Sequence, residues 1–356
     1  MSGGGSVSDL AATFRRLIER HGPMPVSRYM GESNARYYTS RDPLGLPKEG
    51  RGGDFITAPE ISQMFGEMVG LWLADLWSRS GRPDAAYVEL GPGRGTLASD
   101  ALRAMGSQGL HPAVHLVEGS EKLREIQSGA LAEAQIHDSI DTLPEDRPLY
   151  IVANEFLDAL PIRQLVMTEK GWRERMVALD GETFVFVAGP NPMDDAVPKE
   201  RRAEKLGTVI ETCPAAAATI EAISRRIDGQ SGAALFIDYG YLAPQAGETL
   251  QAVRRHEKVG VFEAPGEMDL TALVDFATLV DIAKREGLAV ETATQGDWLS
   301  AMGIGLRAQA LAQRSPDHGK TIGEAHDWLV GAEAMGKLFK VMAITPRDAP
   351  RGAGLG

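Results

Sequence analysis

The chain has 356 residues, of which 43% are hydrophobic and 24% are charged, as in a globular protein of about two domains or of one α/β domain with insertions. Its net charge of −12 argues against a general binder of nucleic acid or of membrane surfaces, so we expect neither partner. Cys213 is the only cysteine, which excludes an intrachain disulfide and a cysteine metal cluster. We therefore expect no metal and a reducing, cytoplasmic location.

The N-terminal region predicts two helices followed by a long loop. The first helix, with Ser8 as its cap, carries apolar residues at helical spacing and ends at Gly22. A second, short helix follows around residues 26–30, and residues 34–53 predict a loop. The first residues have neither a basic start nor an apolar run, so a signal peptide is not expected. No segment has the apolar length that a membrane span needs.

Residues 57–60 predict the start of a strongly apolar helix. Thr57 and Glu60 have the spacing of a capping box, and Pro59 fits the first turn, where its missing N–H is not needed. Large apolar residues then recur at helical spacing to about Ser80. We expect this helix to pack in the core.

A short apolar strand ends at three glycines, Gly91, Gly93 and Gly95, and a helical pattern follows at once. Such a turn lets a ligand approach the backbone closely. A dinucleotide fingerprint would need glycine where Thr96 stands. Glu89 would repel a pyrophosphate but attract the ammonium and sulfonium of S-adenosylmethionine. The pattern therefore favours a methyl donor over NAD, and a tight turn without a ligand is the alternative.

Two further predicted strands end next to acidic residues. Glu118 ends the second strand, where one carboxylate can accept two hydrogen bonds from ribose hydroxyls; a solvated glutamate is the alternative. Ser120 is predicted to cap the helix that follows. The third strand ends at His137, which would bring Asp138 near an adenine ring. For His137 itself, the pattern favours a structural role over a catalytic one.

Polar residues follow the fourth and fifth predicted strands, both strongly apolar. Asn154, Glu155 and Asp158 follow the fourth strand, and Asp238 and Tyr239 follow the fifth. Ligands of open α/β sheets bind beyond the carboxyl ends of the strands, so we expect these residues to meet the substrate. The alternative is that Asn154 and Glu155 only cap the next helix.

Residues 163–190 predict three short antiparallel strands with a hairpin turn at Asp180-Gly181. A loop is predicted over 242–268, with a basic, solvated spot at 254–258, and a last strand over 339–344. The expected regions are an N-terminal helical lid (1–84), two halves of a sheet domain (85–162 and 206–346), an inserted antiparallel region (163–205) and a flexible tail (347–356).

Six segments together resemble the MidA family: ELGPGRGT (89–96), GDFITAPE (53–60), HLVE (115–118), NEFLDALP (154–161), AALFIDYG (233–240) and MGKLF (335–339). The resemblance extends from about residue 24 to residue 346. The joint presence of the second and fourth segments is far more specific than the glycine turn. The family includes a mitochondrial complex I assembly factor, number seven of its series.

This resemblance implies a class I methyltransferase that uses S-adenosylmethionine as its cofactor. The implied fold is an α/β, Rossmann-like sheet, mostly parallel with a reversed last strand, plus an N-terminal helical region and a small inserted antiparallel region. Mitochondrial members are described as protein arginine methyltransferases that make symmetric dimethylarginine on a complex I subunit. A protein substrate of that kind is therefore implied, although this chain resembles a bacterial-type member. The oligomeric state stays open, with a homodimer as one option.

The resemblance also implies which residues meet the cofactor. The glycine turn would line its methionine part, the second strand end its ribose and the third its adenine. We also hypothesise that the N-terminal helices and residues 52–60 form a lid over the cofactor. The implied cofactor-binding residues are Glu89, Gly91, Gly93, Gly95, Glu118, Asp138, Asp54 and Thr57.

Methylation of an arginine needs acidic residues that orient its guanidinium group. A guanidinium is a poor nucleophile because it stays protonated, with a pKa above about 12. Glu155 and Asp158 can orient it and compensate its charge, with Asn154, Asp238 and Tyr239 in support. We therefore hypothesise a protein arginine methyltransferase whose inserted strands shape a protein-binding groove. The alternatives are a methyltransferase for a small molecule or another residue, and an assembly chaperone that binds S-adenosylmethionine without turnover.

Overall fold

The computed structural model describes residues 10–40, 57–254 and 257–355. The helices of these ranges are α1 (Leu10–His21), α2 (Val26–Ser40), α3 (Ala58–Ile61), α4 (Gln63–Arg79), α5 (Thr96–Ser107), α6 (Glu121–Ala130), α7 (Pro214–Gln230), α8 (Phe276–Arg285), α9 (Gln295–Ala301), α10 (Ile304–Arg314), α11 (Gly319–Val330) and α12 (Met335–Leu338). The strands are β1 (Met24–Pro25), β2 (Ala86–Leu90), β3 (Ala113–Val117), β4 (Gln135–His137), β5 (Leu149–Asn154), β6 (Arg163–Thr168), β7 (Gly171–Asp180), β8 (Thr183–Pro192), β9 (Val209–Thr212), β10 (Gly232–Tyr241), β11 (Gln251–Arg254), β12 (Glu257–Val259), β13 (Asp269–Thr271), β14 (Val274–Asp275), β15 (Ala289–Thr294) and β16 (Phe339–Thr345).

The largest sheet carries the glycine turn. Its strands run in the order β15-β16-β10-β5-β2-β3-β4, with β14 paired to the carboxyl end of β10. Strands β4, β3, β2, β5 and β10 are parallel to one another, whereas β16 is antiparallel to both β10 and β15. The expected Rossmann-like sheet, mostly parallel with a reversed last strand, is confirmed.

Strand register brings the carboxyl ends of the central strands to one edge of this sheet. Leu90 of β2 lies beside Ala153 of β5 and Val117 of β3, and Asn154 pairs with Ile237 of β10. The residues that directly follow these strands therefore share this edge, which is where open α/β sheets bind ligands. The strands β2, β5 and β10 are buried along nearly their whole length, as expected of parallel strands covered on both faces.

Residues 57–158, 216–244 and 274–355 form one compact unit around this sheet. Its core combines residues of the sheet, such as Leu235, with Trp72 of α4 and Trp298 of α9. Helices α4 and α5 pack closely because α4 has glycine at position 70, where a Cβ would lie 2.3 Å from the carbonyl oxygen of Ala101. None of the described helices is both long and apolar enough to cross a membrane.

Residues 10–40, 159–215 and 245–273 form a second compact unit. It contains the antiparallel sheet β1-β7-β6-β9, with β8 paired to β7, and the small sheet β12-β11-β13. The predicted antiparallel strands and their hairpin are confirmed, since Asp180 pairs with Thr183 across the turn. Tyr29 of α2 packs against Phe14 and Phe262, with ring centroids 5.0 and 5.3 Å away, and these rings form part of the core of this unit.

Two predictions about the N-terminal helices are wrong. Helix α2 continues to Ser40, so residues 34–40 are helical instead of forming a loop; Ser8 and residues 41–53 lie outside the described residues. The predicted apolar helix is interrupted at Ser62, whose φ of −163° and ψ of 138° are extended. The Ser62 side chain accepts a hydrogen bond from the N–H of Met64 and so caps α4 as a separate helix.

The predicted capping box is also wrong. Thr57 precedes α3 and makes no side-chain cap bond. The Glu60 carboxylate instead accepts a 2.6 Å hydrogen bond from Oγ1 of Thr96, at the start of α5. The competing partner lies far away in sequence, so local spacing could not reveal it.

Two segments are more ordered than the sequence predicts. The predicted loop 242–268 contains β11 and β12, because Leu250 and Ala252 are apolar enough to join the core of the second unit. In the predicted flexible tail, Leu355 joins the core of the larger unit. The N–H of Gly352 donates a 3.0 Å hydrogen bond to Oε2 of Glu291, and these contacts hold residues 352–355 against the unit.

Candidate active site

The glycine turn after β2 has the backbone conformation that its sequence predicts. Gly91, Gly93 and Gly95 all have positive φ, of 61°, 53° and 82°, a region that L-residues with a side chain rarely adopt. A Cβ on Gly91 would lie 2.9 Å from Cδ2 of Phe156. Only glycine therefore leaves the backbone of this turn accessible to a ligand. Gly95 is also the N-cap of α5.

Glu89 lies on β2, directly before the turn, and is buried. Its Oε2 accepts a 2.6 Å hydrogen bond from the hydroxyl of Tyr87, two residues earlier on the same face of the strand. Burial raises the pKa of Glu89 to about 8, and the Tyr87 hydrogen bond opposes this rise. The carboxyl group is thus poised to ionise when a cation approaches it.

Glu118 follows β3 at the same edge of the sheet and is also buried. Its Oε1 accepts a 2.8 Å hydrogen bond from the N–H of Ser120, and Ser120 caps α6 as predicted. Burial raises the pKa of Glu118, opposed by the bonds that it accepts. The carboxylate is therefore held in place by the backbone that follows it.

Gln127 is a site residue that the sequence reasoning missed. It is fully buried on α6, and its Nε2 donates hydrogen bonds to the carbonyl of Gly93 at 2.7 Å and to Oε2 of Glu118 at 3.3 Å. One signal was present in the sequence: position 127 lies midway between Leu123 and Leu131 on the apolar stripe of the helix, where a polar residue is unusual.

The end of β4 is more open than the ends of β2 and β3. The Asp138 side chain is 75% exposed and forms an ion pair with Arg124 of α6. His137 is hydrogen-bonded through one ring nitrogen to His115 at 2.9 Å and through the other to Oγ1 of Thr142 at 2.8 Å. Both ring nitrogens of His137 are thus engaged, which accords with the structural role that the sequence favours.

Asn154 and Glu155 stand together at the carboxyl end of β5. Nδ2 of Asn154 donates a 3.2 Å hydrogen bond to Oε1 of Glu155, and the N–H of Ala58 donates a 3.3 Å hydrogen bond to the same oxygen. The backbone of Glu155 has φ of +51°, a strained conformation for a residue with a side chain. Its N–H donates to the carbonyl of Ile237, which ties the turn to β10.

Asp238 organises this turn from within β10. The prediction that Asp238 and Tyr239 follow the strand is wrong, because both residues pair with β16 and the strand continues to Tyr241. One of its oxygens, Oδ2, accepts hydrogen bonds from the N–H groups of Phe156, Leu157 and Asp158 at 3.1, 2.9 and 3.3 Å. Its Oδ1 accepts from the N–H of Tyr239. Asp238 is buried, and burial together with the nearby Asp158 and Glu155 carboxyl groups raises its pKa.

The remaining expected residues lie around this cluster. Asp158 is buried in the turn that Asp238 organises, and Tyr239 packs edge-on against Phe339 with ring centroids 5.1 Å apart. Thr57 directly precedes Ala58, whose N–H reaches Glu155. Asp54 lies outside the described residues.

The residues present fit a methyl donor. The uncovered backbone of the glycine turn, with a Cβ at Gly91 excluded by Phe156, leaves room for a ligand. The buried carboxyl group of Glu89 can bind a cationic group, and that of Glu118 can accept hydrogen bonds from the two hydroxyls of a ribose. Separately, Asn154, Glu155 and Asp158 cluster at the carboxyl end of β5 with Asp238, which lies within β10 beside that end. Apart from Asp54, the structure thus brings the expected cofactor residues and the expected substrate residues to the same edge of one sheet.

Comparison with known families decides the class. Residues 68–294 match the profile of the Methyltransf_28 family, described as S-adenosyl-L-methionine-dependent methyltransferases. The chain belongs to this family. It is therefore a methyltransferase whose cofactor is S-adenosylmethionine, and the matched residues include the glycine turn, both buried glutamates and the cluster at the end of β5.

Curated relatives and solved structures agree with this assignment. The chain is 33% identical to the mitochondrial protein arginine methyltransferase NDUFAF7 of Xenopus tropicalis, over 93% of this chain and 84% of the relative, and 34% identical to that of Mus musculus, over 94% and 84%. A crystal structure from Burkholderia thailandensis, bound to S-adenosyl-homocysteine, matches with a TM-score of 0.84 and 30% identity over 97% of this chain and 93% of that one.

Proposed function

We propose that this methyltransferase methylates arginine in a protein substrate. The observation that carries the proposal is the similarity, over more than nine-tenths of the chain, to relatives named protein arginine methyltransferase. The cluster of acidic groups at the carboxyl end of β5, with Asp238 beside it on β10, supports the proposal, because a guanidinium is a cation that carboxylates bind well.

In the proposed reaction, the residues of this chain mainly bind and orient. When bound, S-adenosylmethionine supplies a methyl group on a positively charged sulfur. Glu155 and Asp158 hold the guanidinium and compensate its charge, and one of the two carboxylates takes up the single proton that the nitrogen releases as its bond to the methyl carbon forms and the bond from that carbon to sulfur breaks. Asn154 orients Glu155 through the 3.2 Å hydrogen bond between them, and Asp238 with Tyr239 supports the turn.

The cofactor residues are part of the same proposal. Gly91, Gly93 and Gly95 with Glu89 line the methionine part, and Glu118 binds the ribose. Asp138 lies toward the adenine, and Thr57 belongs to the lid that the sequence predicts together with Asp54. The burial of Glu89 and Glu118 supports these roles, because a buried carboxyl group gains most from a ligand that offers charge or hydrogen bonds.

The proposed substrate and product follow from the family resemblance. We propose that the substrate is a subunit of a respiratory complex I-type assembly and that the product is symmetric dimethylarginine. A bacterial, cytoplasmic location is part of this proposal and is supported by the single cysteine. The oligomeric state stays open.

The test is methyl transfer from radiolabelled S-adenosylmethionine to purified complex I subunits and to whole-cell extract, followed by acid hydrolysis and separation of methylated amino acids. We expect label in dimethylarginine with wild-type protein, at least about tenfold less with Glu155→Gln, and none with Gly93→Val, whose bulky side chain would fill the turn. Label in a small molecule or in another amino acid would overturn the arginine proposal. Binding of a subunit without any label, unchanged in Gly93→Val, would favour the chaperone alternative.

A further inference from the structure

Gln127 connects two loops of the active site that follow different strands. Gly93 belongs to the turn after β2, and Glu118 belongs to the loop after β3. The single Nε2 group of Gln127 donates to both, at 2.7 Å to the Gly93 carbonyl and 3.3 Å to Oε2 of Glu118. We propose that Gln127 is a positioning residue that holds the glycine turn and the Glu118 carboxylate in the register that S-adenosylmethionine requires. This inference rests on the cofactor roles proposed for Gly93 and Glu118.

The orientation of the Gln127 amide follows from its partners. Both partner atoms are acceptors, so only the NH₂ end can face them. A flipped amide would place Oε1 of Gln127 next to the Gly93 carbonyl oxygen and Oε2 of Glu118, with no donor among the three oxygens. The other end, Oε1, is buried and has no hydrogen-bond partner among the described residues. A buried acceptor without a partner destabilises the fold, whereas a methionine of similar shape would leave no such oxygen. The glutamine is therefore better explained by what its NH₂ group holds than by stability.

Residues at the two ends of α6 also contact the loops after β2 and β3. Leu131, the C-cap residue of α6, lies one turn beyond Gln127, and its Cδ1 lies 3.1 Å from the position that a Cβ on Gly95 would take. The Ser120 N–H, which donates to Oε1 of Glu118, belongs to the cap of this helix. Helix α6 thus contacts the middle and the end of the glycine turn and both oxygens of the carboxylate, with Gln127 as the residue that joins them.

The test compares Gln127→Met with a matched control elsewhere in the protein. Gln295 of α9 is also fully buried; its Nε2 donates to the carbonyl of Leu329 at 2.9 Å, and its Oε1 likewise has no partner within the described ranges. Gln295→Met therefore makes the same chemical change outside the active site. The measurements are the Kd values for S-adenosylmethionine and S-adenosylhomocysteine by calorimetry, the Tm of the free protein, and KM and kcat for methyl transfer.

We expect Gln127→Met to weaken binding of both ligands about fivefold to twentyfold, from the loss of two hydrogen bonds, with a Tm close to that of Gln295→Met. KM for S-adenosylmethionine should rise in parallel, while kcat at saturating donor changes less than about twofold. Gln127→Glu places an oxygen next to the Gly93 carbonyl and Glu118, so it should bind both ligands still more weakly than Gln127→Met. This variant is measured instead if the methionine variant does not fold.

The outcomes distinguish a failure of the positioning role of Gln127 from a failure of the cofactor roles proposed for Gly93 and Glu118. If Glu118→Ala weakens ligand binding but both Gln127 variants bind as the wild type does, the positioning role is wrong and the cofactor site stands. Equal weakening in Gln127→Met and Gln295→Met would also overturn it, because loss of a buried glutamine alone would then explain the effect. If Glu118→Ala binds normally, the cofactor assignment itself fails.

Discussion

The hydroxyl of Tyr87 donates a 2.6 Å hydrogen bond to Oε2 of Glu89 inside the largest sheet. Both residues are buried on β2, and the second one stands directly before the glycine turn. A buried carboxyl group next to a ligand site changes its charge when the ligand brings a charge of its own. With the cofactor role proposed for Glu89, the pair links cofactor binding to pH.

Cofactor affinity should depend on pH through Glu89. Burial raises its pKa to about 8 in the free protein, so below that pH the group is mostly neutral and binding of the cationic methyl donor must release a proton. Affinity for S-adenosylmethionine should rise by up to about tenfold per pH unit toward pH 8 and then level off. Calorimetry in two buffers of different ionisation enthalpy measures the released proton directly, and Glu89→Gln should abolish the pH dependence. An affinity that is flat between about pH 6 and pH 9 in the wild type would contradict this prediction.

Tyr87→Phe should move this pH profile. The Tyr87 hydrogen bond lowers the pKa of Glu89 against the effect of burial, so its loss should raise that pKa further. Affinity for S-adenosylmethionine near neutral pH should then fall, with the plateau at higher pH. Tyr150→Phe on β5, another buried tyrosine, is the control and should leave the profile unchanged. A Tyr87→Phe profile that overlays the wild type would show that the hydroxyl does not tune Glu89.

Asp238→Asn should affect turnover more than cofactor binding. The carboxylate accepts three backbone N–H groups of the turn after β5 on one oxygen and the Tyr239 N–H on the other. An amide cannot accept at both ends, so the turn that carries Glu155 should shift. We expect kcat to fall about tenfold or more while the Kd for S-adenosylmethionine stays within about twofold. The control is Asp228→Asn, at an exposed position of α7, which should change neither kcat nor the Kd. An unchanged kcat in Asp238→Asn would contradict the prediction and would mean that the neutral form of the carboxyl group is enough to hold the turn.

Two substitutions of Glu155 should differ from each other in stability but not in activity. With φ of +51°, this residue adopts a conformation that favours glycine, so Glu155→Gly should be about 1 kcal/mol more stable than Glu155→Ala, which keeps the strain. Both variants should lose most methyl transfer because both lack the carboxylate. Denaturant unfolding and the labelled-methyl assay measure the two effects separately. Equal unfolding free energies for the pair would show that the backbone is not strained at this position.

The sequence was sufficient to predict the sheet and the glycine turn because both depend on local patterns. The apolar runs of β2 and β5 and the glycines at 91, 93 and 95 leave few alternatives, and the ends of parallel strands must share one edge. The acidic residues that follow the strands could be named for the same reason.

The contacts that organise the site could not be predicted because they join residues far apart in sequence. The bond from Gln127 to Gly93, the three N–H groups on Asp238 and the bond from Thr96 to Glu60 each depend on how separate segments pack. The break at Ser62 was missed because helical periodicity continues across it. Such features need the tertiary structure.

The most direct test of the account is calorimetric titration of the wild-type protein and Glu118→Ala with S-adenosylmethionine and with NADH. The account predicts that S-adenosylmethionine binds the wild type, that NADH gives no signal, and that Glu118→Ala weakens binding about tenfold or more, since the ribose loses a charged hydrogen-bond acceptor. Equal affinity of the wild type and the variant for S-adenosylmethionine, or no binding to either, would contradict the assignment of this edge of the sheet as the cofactor site.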